Sequence, residues 1–197
     1  MALQLKPLHP VFVAEAVGGC GPGEDGAQRR DGLAQRARAG SMRLLVVAVG
    51  HKMPAWISAG FNEYAQRMPR EARIELIEIK PATRSGDKAA DKWMAVEAER
   101  IAAALPPRCI KVVLDERGKA LTTVDFSKRI ERWRQDGGDV AFIIGGADGT
   151  APALRRDADL LLGLSAFTLP HGLCRVMLAE QLYRAVSLLA GHPYHRE

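Results

Sequence analysis

The sequence predicts an α/β fold with a mainly parallel sheet flanked by helices. Short apolar runs alternate along the chain with longer segments whose apolar residues recur at three- and four-residue steps. The run from Arg43 to Gly50 is apolar after its first residue, which is typical of a strand buried on both faces. Such alternation favours parallel strands joined by helical crossovers, with helices on both faces of the sheet.

Each predicted strand is a short apolar stretch that lies between two polar or helical segments. The five predicted strands cover residues 43–50, 73–80, 110–114, 140–144 and 160–164. The sequence shows no internal repeat.

Helices are predicted between the strands from apolar faces and end signals. Pro54 suits the first turn of the first helix, Pro106-Pro107 ends the second, and Gly137-Gly138 closes the third, which Thr122 or Thr123 can cap. A short helix begins near Pro152, and a last helix covers residues 172–190. The apolar faces are Ile57, Phe61, Tyr64 and Met68 in the first helix, Ala90, Met94, Ala98, Ile101 and Leu105 in the second, and Phe126, Ile130 and Trp133 in the third.

Composition is that of a globular protein with a modest basic excess. Hydrophobic residues make up 47% and charged residues 26% of 197 residues, and the net charge is +5. That charge suits a polyanionic partner, but many proteins without one share it. Cys20, Cys109 and Cys174 are odd in number and widely spaced, which argues against a disulfide framework and a zinc site. We expect reduced thiols in a cytoplasmic protein that binds no metal and no membrane.

Residues 1–41 differ from the rest of the chain. They are rich in glycine and proline and hold no sustained apolar period, so we predict a disordered N-terminal extension. The apolar run Val11 to Val17 is interrupted by Glu15 and is a poor targeting signal. Met42 precedes a clear strand, so translation can begin there, and residues 42–197 form the predicted domain.

Ligands of open α/β sheets bind beyond the carboxyl ends of the strands, and two such ends are unusual here. The sequence Ile144 to Gly149 (IGGADG) allows close backbone approach to a ligand, although a plain tight turn explains it equally well. Neither a nicotinamide fingerprint nor a P-loop lysine is present. The loop Leu164 to Gly172 (LSAFTLPHG) is apolar for a connection, and such loops cover either core or a flat ligand such as adenine.

The last helix carries a cation where one is not expected. Arg175 lies in the middle of an apolar arc and in the first turn, where the helix dipole disfavours positive charge. The sequence leaves open whether its partner is an anionic ligand or a buried carboxylate, or whether it reaches solvent along its stem. Beyond this helix the chain ends in GHPYHRE, whose aromatic and cationic groups suit RNA bases and phosphates.

Four segments in order, VAVGHKMPAW, FIIGGADG, LSAFTLPHGLCRVMLAEQLYRA and HPYHRE, carry a family resemblance. From residue 42 to 197 the chain resembles the ribosomal large-subunit pseudouridine N3-methyltransferases of the RlmH or YbeA type, which belong to the SPOUT class. The resemblance implies a SPOUT-type α/β fold with a C-terminal deep trefoil knot, S-adenosyl-L-methionine (AdoMet) as methyl donor, and a homodimer. It places AdoMet against Leu114, Gly145, Gly146, Leu164, Ser165, Ala166, Phe167, Thr168 and Leu169, and it places His171, Arg175, Tyr194, His195 and Arg196 near the target base.

The implied reaction is methyl transfer to N3 of a pseudouridine, position 1915 of 23S rRNA, on the assembled ribosome. Arg175 or Arg196 would stabilise negative charge on the uracil carbonyls, and His171 or His195 would accept the N3 proton. The alternatives are a SPOUT enzyme that acts on another RNA such as tRNA, and a non-catalytic ribosome-binding protein.

Overall fold

The computed structural model describes residues 42–84 and 90–191. The predicted disorder of residues 1–41 therefore concerns residues outside the described part, as do the predicted roles of Tyr194, His195 and Arg196. Within the described part, five parallel strands form one sheet in the order β2-β1-β4-β3-β5. The strands are β1 (Leu44–Val49), β2 (Ile74–Ile79), β3 (Ile110–Ala120), β4 (Val140–Ile144) and β5 (Leu160–Gly163).

Helices cover both faces of the sheet, as the alternating pattern predicts. They are α1 (Ala55–Ala65), α2 (Ala90–Ala104), α3 (Thr123–Asp136), α4 (Pro152–Arg156) and α5 (His171–Leu189), with a 3-10 turn at Arg70–Ala72. β1 and β4 are buried along their whole length, which explains their continuous apolar sequences. Leu44 and Val46 face a core shared with α1, α3 and α5, whereas Leu45 and Val47 face the core under α2 and α4.

The third helix shows how closely local signals set an element's ends. The Thr122 hydroxyl accepts a hydrogen bond from the backbone N–H of Asp125 at 3.1 Å, and Gly137 closes the helix in the left-handed region with φ of 76°. Both predicted end signals are confirmed. The first helix differs slightly, because Pro54 occupies the N-cap position and the first turn begins at Ala55.

The third strand is longer than its sequence predicts. It continues past Leu114 to Ala120 through a bulge and pairs again with β5 at Lys119 and Ala120. The added residues are charged and do not alternate, so they carry no strand signal. Gly118 permits the bulge, since a Cβ there would lie 2.5 Å from the backbone carbon of Leu162.

Two further predictions concern membrane binding and the trefoil knot. None of the helices within residues 42–84 and 90–191 is long and apolar enough to cross a bilayer. The trefoil knot that the resemblance implies stays a prediction, although α5 packs against both α1 and α3, as a C-terminal helix returned to the sheet must do.

Candidate functional site

A cavity of about 600 Å³ opens at the carboxyl ends of β3, β4 and β5. This is the edge where ligands of parallel α/β sheets bind, and the volume falls in the usual range of small-molecule sites. All but one of the residues predicted to hold the methyl donor line it: Leu114, Gly145, Gly146, Leu164, Ser165, Phe167, Thr168 and Leu169.

Ala166 is the predicted residue that does not line the cavity. It is exposed at the tip of a small turn, in which the backbone N–H of Phe167 donates to the Ser165 hydroxyl at 2.9 Å. Phe167 is 82% exposed although it lines the cavity, so its ring is available to a ligand. The apolar loop therefore forms a wall of the cavity and does not only cover core.

The glycines after β4 are required by close packing. A Cβ on Gly145 would lie 2.6 Å from the backbone of Gly149, and a Cβ on Gly146 would lie 2.6 Å from a carboxylate oxygen of Glu97. Gly149 has φ of 86° and donates its N–H to the Gly146 carbonyl at 3.0 Å. The segment is thus a tight turn, and it also forms one side of the cavity.

His171 joins this turn to the start of α5. Its Nδ1 lies 2.9 Å from the Gly145 carbonyl oxygen, and its Nε2 accepts a hydrogen bond from Nε of Arg175 at 3.2 Å. Since a carbonyl accepts and a guanidinium only donates, the ring is neutral with its proton on Nδ1. Burial, and then the charge of Arg175, lower the pKa of His171. Both ring nitrogens are therefore occupied.

Arg175 is buried, with 1% of its surface exposed. Besides His171, its guanidinium donates to the Glu78 carboxylate at 2.7 Å and to the Gly50 carbonyl at 2.8 Å. Of the partners that the sequence leaves open, the structure contains a carboxylate, although that of Glu78 is 40% exposed. Arg175 does not line the cavity, and it links the ends of β1 and β2 to α5.

A second group of charged residues lines the cavity and was not predicted. Asp115, Glu116 and Arg117 come from the bulge in β3, and Arg155 comes from α4. The Asp115 carboxylate accepts from the backbone N–H of Arg117 at 2.9 Å and lies 3.5 Å from the Arg155 guanidinium. The sequence signal was weak, since a charged stretch after a strand is usually solvated.

Cys174 also lines the cavity, but its surroundings do not favour a reactive thiolate. Burial raises the pKa of its thiol, and Sγ lies 3.7 Å from the Leu169 carbonyl oxygen. Cys109 is a buried free thiol. Across the residues that the structure describes, no cluster of three His, Cys, Asp or Glu side chains is arranged to hold a metal ion.

Comparison with known proteins identifies the family. The profile described as Predicted SPOUT methyltransferase matches residues 42–195, which is most of the chain. The chain belongs to the SPOUT methyltransferase family. The predicted family, the SPOUT-type α/β class and the prediction of a methyltransferase are thereby confirmed.

Curated relatives are similar over almost their whole length. Proteins named Ribosomal RNA large subunit methyltransferase H are 62% identical in Nitrosospira multiformis and 61% identical in Burkholderia mallei and Ralstonia pickettii. Each alignment spans 155 residues, which is 79% of this chain and 99% of the relative. Among solved structures, the SpoU methyltransferase AviRb from Streptomyces viridochromogenes, in complex with the cofactor AdoMet, gives a TM-score of 0.41 at 16% identity, over 77% of this chain and 60% of that one.

Proposed function

We propose that this chain transfers the methyl group of AdoMet to N3 of a pseudouridine in 23S rRNA. The observation that carries the proposal is that the bulge of β3 and the loops after β4 and β5 converge on one cavity in a chain of the SPOUT family. Relatives at 61–62% identity are named for large-subunit ribosomal RNA methylation, which favours that RNA over tRNA. Position 1915, as the resemblance implies, is the specific target.

The residues of the cavity fit an adenosyl ligand. Its apolar wall includes Leu164, Phe167 and Leu169, which suits the flat face of adenine, and the turn at Gly145 brings backbone groups to the same space. The bound donor supplies an electrophilic methyl on a sulfonium, so no metal is required for the transfer. The chain itself has to hold the target base in line and keep water out.

We assign His171 a positioning role and do not make it the base. Its Nε2 lone pair already accepts from Arg175, and its Nδ1–H is committed to the Gly145 carbonyl. A ring in that state holds the glycine turn against α5 but has no free lone pair for the N3 proton. Of the two histidines considered, His195 is therefore the proposed base.

The same reasoning separates the two arginines. The guanidinium of Arg175 donates to three acceptors and is almost fully buried, so it holds His171 and the ends of β1 and β2 in place and does not contact a ligand in the cavity. Arg196 is the proposed contact for charge on the uracil carbonyls, with Tyr194 beside the base. These C-terminal assignments rest on the family resemblance, as do the homodimer, the assembled ribosome as substrate and a cytoplasmic location.

The decisive experiment supplies labelled AdoMet with the chain and one of three substrates: large ribosomal subunits lacking the modification, free 23S rRNA or bulk tRNA. We expect label at one nucleotide of 23S rRNA, on N3 of a pseudouridine, with assembled particles as the best substrate. Label in tRNA, or in none of the three, would contradict the proposal. His195→Ala should remove the fall in rate that protonation of the base causes on the acidic side of the pH–rate profile, whereas His171→Ala should weaken AdoMet binding and keep that acidic limb.

A further inference from the structure

The cavity lining includes the oppositely charged side chains of Asp115 and Arg155, which suit the charged end of the methyl donor. We propose that Asp115 and Arg155 hold the zwitterionic amino-acid end of AdoMet, with Asp115 binding the ammonium and Arg155 the carboxylate. This inference rests on the function proposed above and deepens it, since it names which part of the donor each residue recognises.

The first argument is that the cavity lining combines apolar side chains with a neighbouring pair of opposite charges. Leu114, Ile144, Leu164 and Leu169 line it with apolar side chains, whereas Asp115 and Arg155 place opposite charges beside each other. AdoMet is divided in the same way, because an adenine joins through a ribose to an amino acid with both charges. The apolar side chains suit the base, which leaves the charged pair for the amino acid.

The second argument is that the two charges are only loosely paired. Their nearest atoms are 3.5 Å apart, at the limit of a hydrogen bond, while the Arg175–Glu78 contact is 2.7 Å. Within the described residues, the Arg155 guanidinium makes this one side-chain contact, so most of its five donors are available. A zwitterion can enter between the two groups and give each a closer partner of opposite charge.

The third argument is that the Asp115 carboxylate is held in place before a ligand arrives. Asp115 is 11% exposed, and the backbone N–H of Arg117 holds its other oxygen at 2.9 Å. The bulge that presents it is packed at Gly118 against the backbone of β5. Arg155 follows the buried Leu154 on α4. A preorganised carboxylate loses little conformational entropy on binding, and the 37%-exposed Arg155 can turn toward the ligand beside it.

A ribose diol is the competing occupant of the Asp115 carboxylate. A diol needs an acceptor and gives no reason for a guanidinium at the same place, whereas an amino acid uses both groups. Glu116 and Arg117 line the same cavity but are 65% and 83% exposed, so solvent screens them and the less exposed Asp115 and Arg155 fit the two charges better.

The test compares three ligands by calorimetry on the full-length chain. S-adenosylhomocysteine has the whole amino-acid end, its decarboxylated analogue lacks only the carboxylate, and 5′-methylthioadenosine lacks both charges. We expect Asp115→Asn and Arg155→Gln to weaken S-adenosylhomocysteine about 10- to 100-fold, the usual effect of losing a charged hydrogen bond. Neither change should alter 5′-methylthioadenosine affinity by more than about twofold, and Glu99→Gln, at an exposed position of α2 outside the cavity lining, should alter no affinity by more than that.

The analogues keep the test independent of variant folding. Unaltered protein should bind S-adenosylhomocysteine more tightly than the decarboxylated analogue, and Arg155→Gln should abolish that difference. If Asp115→Asn weakens all three ligands equally, Asp115 binds the ribose, and this inference is overturned while the proposed function stands. Equal affinities of the unaltered protein for all three ligands would overturn it in the same way. If the unaltered protein binds none of the ligands, the proposed function fails as well.

Discussion

Two groups of charged side chains lie at the same edge of the sheet and differ in how fully they are paired. The first, here the buried network, consists of Glu78, Arg175 and His171 with the carbonyls of Gly50 and Gly145. The second, here the charged wall, consists of Asp115, Glu116, Arg117 and Arg155. Arg175 has three acceptors within 3.2 Å and lies outside the cavity lining, whereas Arg155 has one at 3.5 Å inside it.

The difference teaches what each group can do. A buried cation whose partners are close costs much to disturb, so it fixes the chain segments that it joins. A half-exposed cation with one distant partner costs little to move, so a ligand can recruit it. Charge at a strand end is thus ambiguous until its partners are known, and the following changes would break or sharpen the distinction.

The largest expected effect is that of Arg175→Met. It leaves the Gly50 carbonyl and His171 Nε2 without their donor, and we expect the free energy of unfolding to fall by about 2–4 kcal/mol. Urea denaturation measures the loss. The control is Arg67→Met, whose guanidinium is 33% exposed and pairs with the 57% exposed Glu63 four residues earlier, so its loss should matter by less than about 1 kcal/mol. Similar losses of stability in both variants would show that the buried network stabilises the fold no more than an exposed ion pair does.

Gly118→Ala should disturb the charged wall through its backbone. The added Cβ would lie within 2.6 Å of the backbone of Leu162 and Gly163, which cannot rotate away, so we expect a loss of about 1–3 kcal/mol. Binding of S-adenosylhomocysteine should fall with it, because the bulge carries Asp115. Gly138→Ala, where the nearest neighbour is 4.0 Å away, should leave both thermal midpoint and binding unchanged. Normal S-adenosylhomocysteine binding by Gly118→Ala would show that the bulge does not determine the position of Asp115.

The pH dependence of stability should report on the buried network. The pKa of His171 is lowered from 6.5 in the folded protein, so the unfolded chain takes up its proton first as pH falls. The contribution to stability is complete above pH 6.5 and is lost as pH drops from there toward the folded pKa. Urea denaturation between about pH 7.5 and 5.5 should show a steeper decline than in His171→Gln. Parallel stability curves for the unaltered protein and His171→Gln would mean that His171 is not held neutral. The control is His51→Gln, at an exposed site, which should keep the steeper decline of the unaltered protein.

The smallest expected effect on stability is that of Asp115→Asn. Its ion pair is long and Arg155 is 37% exposed, so the free energy of unfolding should change by less than about 1 kcal/mol while ligand affinity falls. Chemical denaturation and calorimetry on the same preparation separate the two effects. A stability loss as large as that of Arg175→Met would show that the charged wall is also a structural network.

Elements governed by neighbours in sequence were predictable. α3 has its Thr122 cap and Gly137 stop where the residues indicate, and β1 is buried as its apolar run predicts. The extension of β3 to Ala120 was missed, because pairing with β5 determines it and Asp115 to Lys119 have no alternation of their own. Arg175 was recognised as anomalous, but Glu78, 97 residues earlier, was not recognised as its partner.

The sequence by itself predicted the α/β class, because apolar period and helix ends are local properties of the chain. Its motifs indicated the family, and the resemblance supplied the donor-site residues, of which all but Ala166 line the cavity. Only the tertiary structure decided which charged groups are fully paired and buried and which are loosely paired and exposed to the cavity. The ends of β1 and β2 meet at Arg175 and the end of β4 meets His171, whereas Asp115 in the bulge of β3 and Arg155 on α4 line the cavity. The burial of a charged side chain and the distance to its partner depend on segments that are far apart in sequence. These two properties decide whether the charge stabilises the fold or is available to bind a ligand.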